Sequence, residues 1–266
     1  MLSMPDALAR FHARYAGASA RVFQRGMLED GCSSYQRLAD AVSPGARVLD
    51  LACGDGALIA ILREAGHDVT GLDRSSDELA AARRRLGPEL PLHHGEARAL
   101  PFEDGSFDAV TCHMAFMLME RPAEVVAEVG RVLVPGGLFA GVLGAAGPKT
   151  ELMRAVFLAL HAAQLADGLE IDWSGGVAGA DGLAGVLPGW SLRCEPLVLT
   201  VRVPRGELWP FLRLAYYSAG LLSASTSATM EVEVARLAAE LAPEGDIPWH
   251  FGILLFDARS DRAVAL

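Results

Sequence analysis

Val48-Leu-Asp-Leu-Ala-Cys-Gly-Asp-Gly56 decides the fold. Its apolar start reads as a buried strand, which passes through a turn holding Gly54 and Gly56 into a helical pattern over 57–65. Glycine in such a turn lets the backbone approach a ligand without a Cβ in the way, and the helix that follows offers free N–H groups. Asp68-Val-Thr-Gly-Leu-Asp73 reads as the next strand and ends on an acid 23 positions beyond Asp50. A carboxylate there can accept hydrogen bonds from a ribose diol. Turn plus acid describe a site for an adenosine-containing ligand at the carboxyl edge of a parallel sheet.

Working outward, short β-like runs alternate with helical patterns from 45 to 144, the signature of βαβ units. A helix is predicted over 76–86 with Ser76 as N-cap and Asp77 and Glu78 suited to its dipole. A third strand ends near His93 and His94, and a fourth covers 107–112. Pro122 opens a helix to Leu133. Pro135-Gly-Gly137 then turns the chain into a strand over 138–143. Before 45 the pattern is helical, over 5–15 and 34–41. After 145 it gives a helix over 150–166, strands over 192–203 and 251–256, and between these two strands helices over 207–222 and 230–241. The expected fold is α/β: a Rossmann-like, seven-stranded, mostly parallel sheet with helices on both faces. To it are added N-terminal helices and a helical insertion between the last two strands. The expected division is a helical cap over 1–44, a core over 45–203 and 250–266, and a substrate-covering insertion over 204–249.

Composition narrows the function. Of 266 residues, 52% are apolar, so the chain can bury a real core. Lys and Arg number 23 against 33 Asp and Glu, a formal charge of −10, which argues against a nucleic-acid partner and favours a small-molecule substrate. Cys32, Cys53, Cys112 and Cys194 form no C-x-x-C pair, so neither a zinc site nor a disulfide framework is expected. His93 and His94 lack a third ligand at zinc-like spacing, and no metal is expected. The apolar stretch 132–147 is broken by Pro135 and too short to span a bilayer, and Asp6 interrupts any signal-like start. A cytoplasmic monomer or homodimer with no membrane partner is the expectation.

The ligand follows by comparison of motifs. The dinucleotide fingerprint G-x-G-x-x-G fails, because the third glycine would fall on Ile59. The phosphate P-loop fails too, since no G-K-[ST] follows. Asp55 in the turn would repel a pyrophosphate, whereas an amino-acid-bearing nucleoside with a cationic centre such as sulfonium suits it.

With Gly71-Leu-Asp73, Gly95-Glu-Ala-Arg-Ala-Leu-Pro-Phe102, Ser106-Phe-Asp-Ala-Val110 and Arg131-Val-Leu-Val-Pro-Gly-Gly137 added, the chain resembles the class I S-adenosylmethionine-dependent methyltransferases of the small-molecule, type 11-like group. The resemblance covers roughly the first 145 residues. Ala52 stands where the family usually has its first glycine, and Glu96 where aspartate is usual. By resemblance, Asp50 positions the loop and the ligand's amino group, while Ala52, Cys53 and Gly54 line the methionine part. Asp73 holds the ribose, Arg74 lies beside the adenine, and Glu96 and Ala97 meet its edge. His113 faces the methyl group or the methionine carboxylate.

The reaction so implied is methyl transfer from S-adenosylmethionine to an O, N or C atom of a small, apolar or aromatic metabolite, releasing S-adenosylhomocysteine. His113 is the first expectation for a general base, with His250 and Tyr217 behind it. Tyr15, Phe116, Met117, Trp209, Tyr216 and Tyr217 are the candidate substrate contacts, although aromatics at helical spacing are more often core. Two other readings keep the fold: a nicotinamide-dependent oxidoreductase, and a non-catalytic module that binds S-adenosylmethionine or its product. Calorimetric titration separates the first of these, with heat expected from S-adenosylhomocysteine and none from NADH.

Overall fold

The computed structural model describes residues 1–260. The last six positions of the expected core therefore lie outside the described residues. In chain order the helices and strands are α1 (Met4–Tyr15), α2 (Ala18–Phe23), α3 (Ser34–Ala39), β1 (Arg47–Leu51), α4 (Ala57–Glu64), β2 (Asp68–Asp73), α5 (Ser76–Leu86), β3 (Leu92–His94), β4 (Phe107–His113), α6 (Pro122–Val132) and β5 (Leu133–Ala145). They continue as α7 (Glu151–Ala166), α8 (Gly179–Val186), β6 (Trp190–Val203), α9 (Leu208–Ala215), α10 (Tyr217–Gly220), α11 (Ala224–Leu241) and β7 (Ile247–Ser260).

One seven-stranded sheet runs in the order β3-β2-β1-β4-β5-β7-β6. Strands β1 to β5 are parallel, and β7 runs antiparallel to both β5 and β6. The strand alternation supplies two apolar layers, because successive side chains leave opposite faces. Val48, Leu138, Ala140 and Val142 enter the layer under α3, α4, α7, α9 and α11. Leu49, Phe139 and Leu143 enter the other, under α6 and α8. Parallel strands covered on both faces need such unbroken apolar runs.

Several expectations shift at element ends. The α5 N-cap is Ser75, whose Oγ accepts from Glu78 N–H at 3.3 Å, not Ser76. Pro135-Gly-Gly137 does not precede the strand but lies inside β5, where the pairing jumps from Phe107–Leu133 to Ala109–Leu138 and the extra residues bulge out. Ser223 caps α11, so this helix begins six residues before the expected Met230. Helices α2 and α8 are not anticipated by the sequence pattern; both are short, and α8 is glycine-rich.

Gly141 on β5 is a tight point of the sheet: a Cβ there would stand 2.6 Å from the Cys112 carbonyl and from the Phe256 ring. Replacing Gly141 by Ala is expected to destabilise the fold by about 1–3 kcal/mol, read as a lower midpoint in thermal or denaturant unfolding.

Candidate functional site

The site forms where the sheet changes winding direction. From β1 the chain proceeds outward to β2 and β3, then returns to β4 on the other side, so the connections leave a crevice at the carboxyl ends of β1 and β4. Two non-glycine residues there adopt left-handed backbone, Ala52 (φ 57°) after β1 and Met114 (φ 55°) after β4. Such geometry costs free energy for a residue with a Cβ, and both residues line the crevice.

Asp50 lies at the floor of the crevice. Its register partner on β4 is Thr111, whose hydroxyl donates to Oδ1 at 3.0 Å. Oδ2 is buried with no hydrogen-bond partner. Burial, with Asp73 adding like charge, pushes this carboxyl up to about 7 against the pull of Thr111. Asp73 ends β2 and accepts from Gly54 N–H and Ser75 N–H, both at 2.8 Å, so one carboxylate closes the first turn and opens the next helix. Burial raises this acid as well.

Helix α1 roofs the crevice. Gly17, in left-handed conformation between α1 and α2, donates its N–H to both oxygens of Glu78 on α5 at 3.0 Å. His12 Nε2 stands 3.9 Å from Glu78 Oε1. Arg14 donates to the Gly220 carbonyl at 3.1 Å, and Phe11 meets Tyr217 edge to face at 4.7 Å. Desolvation pushes Glu78 up to about 7.

The cavity is partly open to solvent and has an internal volume of about 140 Å³. Asp50, Ala52, Cys53, Gly54, Asp73, Arg74, Glu96, Ala97, His113 and Tyr217 all line it, so the structure gathers the expected cofactor residues and one expected substrate contact. Glu96 faces solvent and stands 3.8 Å from Arg74. His113 packs flat on Tyr35, with ring centroids 3.8 Å apart, and burial holds its pKa down to about 3.

Other expected site residues are elsewhere. His250 lines a separate groove with Arg25, Met27 and Arg202, its Nδ1 2.9 Å from Thr200 Oγ1, because β7 pairs it there; it cannot serve as a base in the cavity. Phe116 is fully buried against Phe139 and Phe256, and Met117 packs on the same apolar layer. Trp209 is core, its Nε1 donating to Ser227 at 3.3 Å. Tyr216 accepts from Trp249 Nε1 at 2.9 Å and stacks on Phe251. Tyr15 is not among the residues lining the cavity, and its hydroxyl accepts from the Arg213 guanidinium. The apolar side of the cavity comes instead from Leu8, Tyr35, Met114, Leu118 and Met119, with His12 and Glu78 at the cofactor end. Glu78 carried a signal, as an acid in a helix's first turn, but one that the helix dipole explained equally well. Among the described residues no cluster of three metal-ligating side chains occurs, and no helix is long and apolar enough to cross a membrane.

Glu78 sets a pH dependence. An acid whose pKa rises on folding is protonated in the folded chain while already ionised in the unfolded one, so folding stability falls as pH climbs from about 4.5 to about 7. Glu78→Gln is expected to flatten that part of the stability–pH curve, measured by urea unfolding of the ligand-free protein at pH 5, 6, 7 and 8.

Residues 49–141 match a family model described as a methyltransferase domain. A demethylmenaquinone methyltransferase of Renibacterium salmoninarum is 43% identical over 102 residues, which is 38% of this chain and 43% of that protein. A ubiquinone biosynthesis O-methyltransferase of Aromatoleum aromaticum is 38% identical over 97 residues, 35% of this chain and 42% of that protein. The match thus spans less than half the length of these curated relatives. Among solved structures, a methyltransferase-like protein of Bacillus halodurans superposes with a TM-score of 0.59 at 20% identity, covering 86% of this chain and 99% of that one. A phosphoethanolamine N-methyltransferase 2 of Haemonchus contortus, solved with phosphomonomethylethanolamine and S-adenosylhomocysteine, gives 0.60 at 18% identity, covering 98% of this chain and 61% of that one. Residues 49–141 are thus similar to a methyltransferase domain, and the chain shares the Rossmann-like fold of the methyltransferase-like structure it superposes on.

Proposed function

We propose that the chain transfers a methyl group from S-adenosylmethionine to a small, largely apolar acceptor. The observation that carries this reading is the bare, buried Oδ2 of Asp50. A buried carboxylate oxygen without a donor is costly, and an ammonium group satisfies it. With Asp73 beside it, this end of the cavity fits a ligand bearing both an amine and a diol. A pyrophosphate does not fit, because Asp50, Asp55, Asp73 and Glu78 share that end.

When bound, the donor supplies a methyl carbon already activated by a positive sulfur. The chain's own work is alignment and the exclusion of water. Asp50 holds the amino group, the turn of Ala52, Cys53 and Gly54 follows the methionine part, and Asp73 receives the ribose hydroxyls on lone pairs left free by its backbone bonds. Arg74, Glu96 and Ala97 flank the adenine. Leu8, Met114, Leu118 and Met119 line the acceptor's side, and α1 closes over both. The similarity to quinone-pathway methyltransferases supports an aromatic acceptor. We assign the cover to residues 1–44, the catalytic core to 45–203 and, among the described residues, 250–260, and to 204–249 a packing role that presents Tyr217 to the cavity.

Incubation with isotope-labelled donor and a panel of hydroxylated aromatic acceptors is expected to yield a labelled product. Asp50→Asn removes a charge-assisted hydrogen bond and is expected to weaken S-adenosylhomocysteine binding about 10- to 100-fold by calorimetry. Unchanged affinity in this variant would remove Asp50 from the amine's site, and transfer to no acceptor would leave a binding module.

A further inference from the structure

The imidazole of His113 is held on three sides. Tyr35 from α3 stacks on it with planes 16° apart, Phe23 from α2 meets it at 72° with centroids 5.8 Å apart, and Ser34 Oγ lies 2.9 Å from Nε2. Ser34 is 1% exposed and its hydroxyl has no other hydrogen-bond partner among the described residues. A hydroxyl proton sealed away from water needs an acceptor, and Nε2 is the one within reach. Ser34 therefore donates, Nε2 accepts, and the single proton of the neutral ring resides on Nδ1. Among the described residues Nδ1 has no partner. It is not among the sealed, unpaired polar atoms either, so it has open surface on the cavity that His113 lines.

The sheet order says which ligand that N–H meets. Asp73 ends β2 and Asp50 lies on β1, so the nucleoside and its amino group occupy the crevice over these two strands. His113 ends β4, the next strand across, on the side of Met114, Leu118 and Met119.

We propose that His113 acts as a neutral hydrogen-bond donor through Nδ1, with Ser34 the positioning residue that fixes this tautomer, and that the acceptor is an apolar molecule presenting a conjugated hydroxyl, hydroxylate or carbonyl oxygen to that N–H. The inference rests on the methyl-transfer reading above. It replaces the expectation of His113 as a base: burial makes the ring a poor proton acceptor, and Tyr35 is the titratable side chain packed against it. An N–H donor suits an oxygen that is anionic or becomes electron-rich, as in a phenolate or an enolate. In the transfer, an O or C lone pair of that acceptor forms the new bond to the methyl carbon. The carbon–sulfur bond breaks with its pair going to sulfur; a hydroxyl acceptor gives its proton to bulk water before it binds as the anion, and a methylated carbon that carried hydrogen gives up its proton to bulk water after release. An amine lacking such an oxygen leaves Nδ1–H unpaired and is rejected.

The tautomer is read directly by nitrogen-15 NMR of the full chain labelled at its seven histidines, with His113→Asn identifying the signal. The expected signal is that of a neutral ring protonated at Nδ1, unchanged between pH 5 and 8. A ring protonated at Nε2, or one that titrates in that range, overturns the proposal whether or not an acceptor has been found. Ser34→Ala is expected to mix the tautomers and Ser34→Thr to restore the single one; an unmixed signal in Ser34→Ala removes Ser34 from the role.

With a hydroxylated aromatic acceptor, His113→Ala is expected to lower turnover about 10- to 100-fold at unchanged S-adenosylhomocysteine affinity. His113→Asn, which keeps an N–H donor at the Nδ1 position, should lose less. The pH limb of the rate should follow the acceptor's own pKa across a substituted series. An equal loss of S-adenosylhomocysteine affinity in His113→Ala would give Nδ1 to the donor's carboxylate and overturn the assignment to the acceptor.

Discussion

One carboxylate governs this structure. Asp50 sits at the junction of the two central strands, with Thr111 satisfying one oxygen and nothing satisfying the other. A folded chain tolerates that only where the gain is made elsewhere, and here the gain is a ligand that brings its own positive charge. The surrounding layers can carry the cost because β1 is buried from Val48 to Leu51 and is flanked on both sides by parallel neighbours. Asp73 and Glu78 extend the same logic: three acids share a small volume, two of them tied by backbone amides, and each is raised by burial.

The cofactor half of the cavity was legible in the sequence because its parts are contiguous. A strand, a turn and a helix start put Asp50, Ala52, Cys53 and Gly54 in one place, and the strand period put Asp73 beside them. The acceptor half was not legible, because long-range packing assembles it. Ser34 reaches His113 across 79 positions of chain, and Gly17 reaches Glu78 across 61. No local pattern records such meetings. The aromatics of the inserted helices show the opposite failure. Trp209, Phe211 and Tyr216 have the spacing of either a core face or a pocket wall, and the long strand β7 decides the matter. Trp249 and Phe251 on that strand need cover, and Phe211 and Tyr216 provide it. Only Tyr217, one residue further, is left for the cavity.

The similarity to known proteins has the same boundary as the legible half. It covers the turn, the second strand and the strands up to β5, His113 and Met114 included, and leaves out Leu8 of the roof and Phe23, Ser34 and Tyr35 around the imidazole. Shared fold fixes where a donor can lie, not what receives the group. What the matched stretch leaves out is the clamp that Phe23, Ser34 and Tyr35 close around His113, and no local motif marks those three residues.

The attachment of α1 has a kinetic meaning. This helix is held over the cavity by the amide of Gly17, by Arg14 and Tyr15 on Gly220 and Arg213, and by the buried Met4, Ala7 and Phe11, without the ladder of backbone hydrogen bonds that fixes a central strand. Local opening is cheapest where the fewest contacts must be surrendered. Because Leu8 and His12 of this one helix line the two halves of the chamber, any opening of it uncovers the spent donor and the finished product together.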